Sequence, residues 1–159
     1  MGAAKIEIMF DDGSSRFAVL RNMFAQVRRG RLTVEALDLM AATWRSLVRK
    51  VPGPLYGLFV LEADADMPPV EVRTRQKELF AEIATSKRLR GALVVEGSGV
   101  YVQLRRVILR TMSETQMFYD VEEAARHLAS SSDERPPSVA DLVAVAAAAR
   151  FPPPDRERR

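Results

Sequence analysis

The chain has 159 residues, enough for one domain with its own hydrophobic core, and 47% of them are hydrophobic. It contains no cysteine, which excludes disulfides and thiolate metal sites and is typical of a reducing compartment. The net charge of +3 comes from basic residues spread over several predicted elements, which argues against nucleic-acid binding. The sequence shows no signal peptide and no apolar run of about 18 residues, so we expect a cytoplasmic protein without a membrane span.

The first third of the chain predicts a hairpin followed by a helix. Ile6, Ile8 and Phe10 alternate with polar residues, which indicates a half-buried strand. Turn residues follow, and residues 17–24 predict a second strand. Thr33 is then a candidate N-cap. The helix has one apolar stripe, on which we expect Trp44 to anchor it to the sheet: Val34, Leu37, Ala41, Trp44, Val48 and Val51.

The most informative segment is the apolar run at residues 55–61. A strand that is apolar almost throughout is expected where both faces of a parallel sheet are covered. A helix entered through Pro68 and Pro69 and an apolar strand at residues 91–96 complete a βαβ unit. The inward face of this helix is predicted to carry Val72, Gln76, Leu79, Phe80 and Ile83.

The remaining elements are a third helix, a short strand and a fourth helix. Residues 117–119 predict the strand, and Asp120 is the expected N-cap of the fourth helix. The third helix is indicated by the spacing of its apolar residues: Val100, Leu104, Val107, Ile108 and Met112.

The C-terminal part differs in composition. We assign residues 1–129 to the domain, residues 130–137 to a linker, and residues 138–159 to a short Ala-rich helix with a disordered basic tail. Residues 138–141 resemble a capping box, with Ser138 as the expected N-cap of this helix. About a dozen helical residues are marginal alone in water, so the helix needs a surface to pack on. This cover is either the surface of the domain or a partner.

Two loops carry candidate chemistry. Gly97, Ser98 and Gly99 could bind an anion at the start of the third helix, form part of a nucleophile elbow, or simply make a tight turn. The residues of a P-loop and the spacing of an elbow are missing, which favours the turn. Asp64 and Asp66 could hold a cation or act as an acid/base pair, but two loop acids without a third ligand are a weak metal signal.

The single histidine, His127, is expected on the surface of the fourth helix near its C-terminus, where a cation is favourable. It lies far in sequence from any serine with an orienting acid. A hydrolase mechanism through Ser98 therefore lacks a base, and we predict no enzymatic activity, no cofactor and no metal site.

The order of elements resembles the STAS domain of bacterial anti-sigma-factor antagonists, and more closely its SEC14-like single-domain relatives. The similarity covers about residues 5–129 and includes the opening hairpin, the Trp44 helix, the strand at 55–62, the segment ending in residues 94–99, and the closing segment 118–124. It implies an α/β fold with a mixed sheet of about five strands, helices on one face and a C-terminal helical extension.

The resemblance also implies a regulatory or scaffold role. In the antagonist family a serine or threonine at the start of the second helix is phosphorylated by a partner kinase. The corresponding loop here, residues 64–70, has no hydroxyl; the nearest is Thr74, and an acidic loop could replace the switch. We therefore expect a protein partner, or a second copy of the chain, to bind this loop and the adjacent helix through Asp64, Asp66, Met67, Pro68, Val70, Arg73 and Thr74.

SEC14-like relatives hold apolar molecules, which implies an alternative function. A small apolar ligand or a lipid would need a cavity lined by residues such as Phe59, Phe80, Ile108 and Met112. An elongated pocket there would favour this alternative, whereas tightly packed rings would argue against it.

Overall fold

The computed structural model describes residues 5–86, 88–112 and 116–150, with only the backbone of residues 101, 111 and 112. The strands along these residues are β1 (Glu7–Asp11), β2 (Ser15–Leu20), β3 (Met23–Arg28), β4 (Leu55–Leu61), β5 (Leu89–Val95) and β6 (Gln116–Phe118). The helices are α1 (Val34–Lys50), α2 (Val70–Thr85), α3 (Val100–Met112), α4 (Val121–Ala129) and α5 (Val139–Ala149). None of these helices is long and apolar enough to cross a membrane.

The strands pair in their sequence order within one mixed sheet. β1, β2 and β3 are antiparallel neighbours, whereas β3, β4, β5 and β6 are parallel. Parallel neighbours need crossover connections, which α1, α2 and α3 supply. The C-terminal ends of β3 to β6 therefore lie side by side at one end of the strands, which we call the carboxyl edge. Open α/β sheets bind their ligands at this edge.

Helices cover both faces of the sheet. Leu58 and Val60 of β4 are buried among residues of α4 and α5. Leu55 packs among residues of α1 and α2, and Leu61 among residues of α3. The predicted α/β class, the mixed sheet and the two-sided burial of the central strand are thus confirmed. The helices do not lie on one face as expected, because α4 and α5 return to the second face.

The sheet has six strands in the described residues rather than about five. The segment at residues 17–24, predicted as one strand, contains the end of β2, a two-residue turn and the start of β3. Arg21 in this turn has a left-handed backbone with φ 55°. The turn contains no glycine or proline, so the sequence gives no strong turn signal there.

The three N-caps expected from the sequence are confirmed by hydrogen bonds. The Thr33 hydroxyl accepts from the Ala36 amide at 3.2 Å, and the Asp120 carboxylate accepts from the Glu123 amide at 2.8 Å. The Ser138 hydroxyl likewise caps α5. Each cap satisfies one of the amides that a helix start leaves without an intrahelical partner.

The C-terminal helix α5 packs on its own domain. Leu142, Val145 and Ala146 are buried against Ala18 and Ala25 of the sheet, so the described residues themselves provide the cover that α5 requires. The predicted basic tail at residues 151–159 lies outside the described residues.

The predicted linker is also tied to the domain. Asp133 accepts hydrogen bonds from the Tyr56 hydroxyl at 2.6 Å and from Arg90 Nε at 3.2 Å. These bonds lower the pKa of Asp133, the Tyr56 bond having the larger effect. The segment that leads to α5 is therefore fixed to the sheet.

An aromatic cluster lies between the sheet and α1. The Phe24 ring stacks on Phe17 at 5.0 Å and meets Trp44 and Phe59 edge-on at 5.7 and 5.6 Å. Trp44 thus anchors α1 to the sheet as predicted. Gly57 of β4 leaves room for the Phe24 ring, because a Cβ at this position would lie 2.7 Å from Phe24 Cε2.

We predict that Gly57→Ala destabilises the protein by about 1 to 3 kcal/mol, because the added methyl group overpacks the aromatic cluster. Gly91→Ala is the matched control: Gly91 pairs with Gly57 in the sheet, and its Cβ would meet atoms no closer than 3.4 Å. Urea denaturation followed by Trp44 fluorescence measures both free energies of unfolding. Equal losses for the two variants would show that the Phe24 contact is not the cause.

Candidate functional site

Two loops predicted to carry function lie side by side at the carboxyl edge. One follows β4 and contains residues 62–69, and the other follows β5 and contains residues 96–99. The Glu96 amide donates to the Leu61 carbonyl at 3.0 Å, and a Cβ on Gly97 would lie 2.9 Å from the Ala63 Cβ. The structure therefore brings the candidate partner loop and the candidate anion site together.

The loop at residues 64–70 has a fixed backbone and exposed acids. The Asp66 amide donates to the Gly30 carbonyl at 2.8 Å, and Ala65 is buried. The side chains of Asp64 and Asp66 are exposed. Of the other predicted partner-binding residues in the loop, Met67 is half-buried, Pro68 is buried and Val70 is exposed.

Arg73 and Thr74, also predicted to bind the partner, lie in the first turn of α2. The Thr74 hydroxyl is exposed and donates to the Val70 carbonyl at 3.0 Å. Arg73 is half-buried, and its Nε is enclosed without a hydrogen-bond partner. The candidate partner-binding site is thus an acidic loop followed by the start of α2, where the Thr74 hydroxyl is exposed.

Three buried arginines lie beneath the carboxyl edge: Arg28 at the end of β3, and Arg105 and Arg106 on α3. Arg105 Nη1 and Nη2 donate to the carbonyls of Glu62 at 3.3 Å and Ala63 at 3.1 Å. Because Arg105 is only 1% exposed, its guanidinium is part of the interior and not of the surface.

Arg106 holds the second loop in the same way. Its Nη2 donates to the carbonyls of Val95 at 2.9 Å and Gly97 at 3.3 Å, and it is 4% exposed. Its guanidinium also lies 4.2 Å from the centre of the Tyr119 ring, a distance typical of a cation–π contact. α3 is thus attached to both loops through charged hydrogen bonds.

The third arginine joins the loop after β4 to the interior. Arg28 Nη1 donates to the Asp66 carbonyl at 3.2 Å. Burial, and secondarily the nearby positive charge of Arg105, lower the pKa of Arg28 to about 10, while the Asp66 carboxylate acts in the opposite direction. The cluster therefore concentrates positive charge in a region with little solvent.

Arg150, the C-cap of α5, reaches the same edge. Its Nη2 donates to Glu96 Oε2 at 2.9 Å, its Nη1 donates to Glu96 Oε1, and Nη1 lies 3.6 Å from Glu62 Oε1. The hydrogen bond to Glu96 is the main cause of the raised pKa of Arg150. Burial raises the pKa of Glu62, with Arg150 acting in the opposite direction. The end of the described chain is therefore fixed at the candidate site.

Three of the apolar residues whose spacing indicates α3 are exposed to water. Val100 is 88% exposed, Leu104 is 55% exposed and Val107 is 57% exposed; we call these three residues the α3 stripe. Ile108 is half-buried, and the side chain of Met112 lies outside the described residues. Arg105 and Arg106 form the inward face of α3, together with Val102 and Leu109.

The candidate anion site is a tight, exposed turn. Gly97 and Gly99 have φ of 100° and 102°, a conformation that favours glycine. Ser98 is exposed, and His127 is exposed on α4, on the second face of the sheet. Anion binding by Gly97, Ser98 and Gly99 stays a prediction. The described residues contain no group of three or more His, Cys, Asp or Glu that could hold a metal ion.

A cavity lies between the sheet and the helices α1 and α2. The volume of this cavity is about 60 Å³. Two residues expected for an apolar ligand site, Phe59 and Phe80, line this cavity, whereas Ile108 does not. The apolar part of the wall includes Phe17, Phe24, Leu37, Trp44, Leu79 and Ile83. The polar part of the wall includes Gln76, which was predicted on the inward face of α2, and Arg28, which the sequence analysis missed.

We predict that Arg106→Met destabilises the protein by about 1 to 3 kcal/mol, because the Val95 and Gly97 carbonyls lose a charged donor. Arg110→Met, which removes an exposed arginine from the same helix, should change the free energy of unfolding by less than about 0.5 kcal/mol. Thermal and urea denaturation measure both effects. Equal stability of wild type and Arg106→Met would contradict the anchoring role.

Comparison with known proteins assigns no family to this chain. No family model matches it, and no curated protein matches it. The resemblance to the STAS domain therefore stays a prediction.

Proposed function

We propose that this protein is a non-enzymatic regulatory or scaffold module that binds a protein partner at the carboxyl edge. The binding surface consists of the loop at residues 64–70 and the α3 stripe. The observation that carries this proposal is the exposure of the stripe on a helix whose inward face holds two arginines. The resemblance implied α2 as the adjacent helix, and the exposed apolar residues of α3 extend the surface to a second helix.

The α3 stripe has the spacing used in helix-mediated recognition. Val100, Leu104 and Val107 follow an i, i+4, i+7 pattern, which places them on one side of the helix. Full burial of a valine or leucine side chain contributes roughly 1.5 to 3 kcal/mol, so three such anchors support a specific complex. Amphipathic helices commonly bind through apolar residues at this spacing.

The charge around the loop defines the chemistry of the partner. Asp64, Asp66 and Glu71 are exposed and give this part of the carboxyl edge a negative rim. A partner segment with apolar residues for the stripe and Lys or Arg for the rim is complementary in both respects. We therefore infer that the partner presents a basic amphipathic helix.

A second candidate function is the binding of a small apolar ligand in the cavity beneath α1 and α2. The specific observation in its favour is the aromatic wall formed by Phe24, Trp44, Phe59 and Phe80. A cavity needs about 10 to 15 Å³ to hold one water. The volume of about 60 Å³ therefore corresponds to roughly four to six non-hydrogen atoms of a ligand. This size favours a short ligand over a long lipid chain.

We predict that the double variant Leu104→Arg, Val107→Arg weakens partner binding at least about tenfold. Two apolar anchors are replaced by positive charges, which repel a basic helix. Leu39→Arg is the matched control, since Leu39 is also an exposed leucine on a helix but lies on α1. Equal amounts of the three proteins serve as bait in native lysate, and captured proteins are quantified by mass spectrometry.

The proposal requires a captured protein that is lost with the double variant and retained with Leu39→Arg. Thermal denaturation confirms that all three baits are folded. Undiminished capture by the double variant would contradict the α3 stripe as the binding surface. Size-exclusion chromatography with light scattering shows whether the partner is a second copy of the chain.

A further inference from the structure

The cavity beneath α1 and α2 has a polar end within an otherwise apolar wall. Arg28 lines it and is 3% exposed, so its charge lies almost entirely out of solvent. Gln76 of α2 also lines it and is 8% exposed, and its Oε1 is buried without a hydrogen-bond partner. Buried polar groups are normally hydrogen-bonded, so Gln76 Oε1, which is an acceptor, lacks a donor in its present orientation.

Arg28 indicates the charge of a ligand that would occupy this polar end of the cavity. Its guanidinium donates to a neutral acceptor, the Asp66 carbonyl, and experiences the positive charge of Arg105. Both burial and Arg105 disfavour the charged form, and Asp66 only partly offsets them. An anion in the cavity would stabilise the guanidinium, and a carboxylate matches its planar donors in a bidentate arrangement.

The rest of the wall defines the body of the ligand. Phe24, Trp44, Phe59 and Phe80 provide aromatic surfaces, and the available space suits a branched or cyclic group of a few carbon atoms. A long chain would not fit unless the helices moved. The wall thus combines an apolar body site with one cationic end.

We propose that this cavity binds a small monocarboxylate with a short apolar body, whose carboxylate pairs with Arg28 and whose body lies among the aromatic rings. This inference rests on the second proposed function, ligand binding in the cavity, and adds the chemical class of the ligand. Gln76 lies within the same wall, and rotation of its terminal amide presents an N–H donor to the carboxylate.

Isobutyrate and its neutral isostere isobutyramide, each with six non-hydrogen atoms, test the proposal on the wild-type chain. Both have the same branched body, and only the first carries a charge. Trp44 is the single tryptophan and lines the cavity, so its fluorescence reports binding of either compound. Thermal denaturation provides a second readout, since a ligand that binds the folded state raises Tm.

We expect isobutyrate to bind at least about tenfold more tightly than isobutyramide, and Arg28→Met to remove this preference. Arg75→Met, which removes an exposed arginine on α2, should retain it. Equal affinities of the two compounds for the wild type would overturn the assignment of a carboxylate while leaving ligand binding intact. Absence of any fluorescence or Tm response to either compound would overturn both. The wild-type comparison decides the question even if Arg28→Met does not fold.

Discussion

The pairing of two buried guanidinium groups with backbone carbonyls determines how this protein presents its surface. Strand ends leave carbonyls that must be satisfied when they are buried, and an arginine offers several donors from one side chain. Arg105 donates hydrogen bonds to carbonyls of the loop after β4, and Arg106 donates to carbonyls at the end of β5 and in the loop after it. Because both side chains point inward from one helix, they fix the rotation of α3 about its axis.

That rotation explains the exposed apolar residues. Successive residues of an α-helix are about 100° apart, so Arg105 and Arg106 define an inward direction that Val102 and Leu109 share. The α3 stripe lies on the opposite side of the helix. The stripe is therefore exposed because charged hydrogen bonds take precedence over apolar burial at this edge.

Arg28 connects the two proposed sites. It donates to the backbone of the loop that we assign to the partner, and it lines the cavity that we assign to a small ligand. Arg150 fixes the end of α5 to the same edge through Glu96. The carboxyl edge is thus the place where the sheet, the helices of both faces and the two proposed sites meet.

The predictions from the sequence are correct where apolar periodicity and local hydrogen bonds decide the structure. The sequence analysis predicted the β4 strand, the caps at Thr33, Asp120 and Ser138, and the inward face of α2, where apolar spacing and short-range hydrogen bonds agree. It missed β3 because the preceding turn has no glycine or proline. It did not predict the inward face of α3, since only the positions of distant carbonyls show that two arginines belong inside.

The orientation of α3 can be tested most directly with single cysteine variants, because the chain contains no cysteine. Single variants Leu104→Cys and Val102→Cys place one thiol on each side of α3, and the rate of reaction with a soluble thiol reagent reports the exposure of each. The account predicts that Cys at position 104 reacts almost as fast as in the unfolded chain, while Cys at position 102 reacts at least about a hundredfold more slowly because it requires opening of the structure. A protected thiol at position 104 and a reactive thiol at position 102 would contradict the orientation of α3, and with it the proposed binding surface.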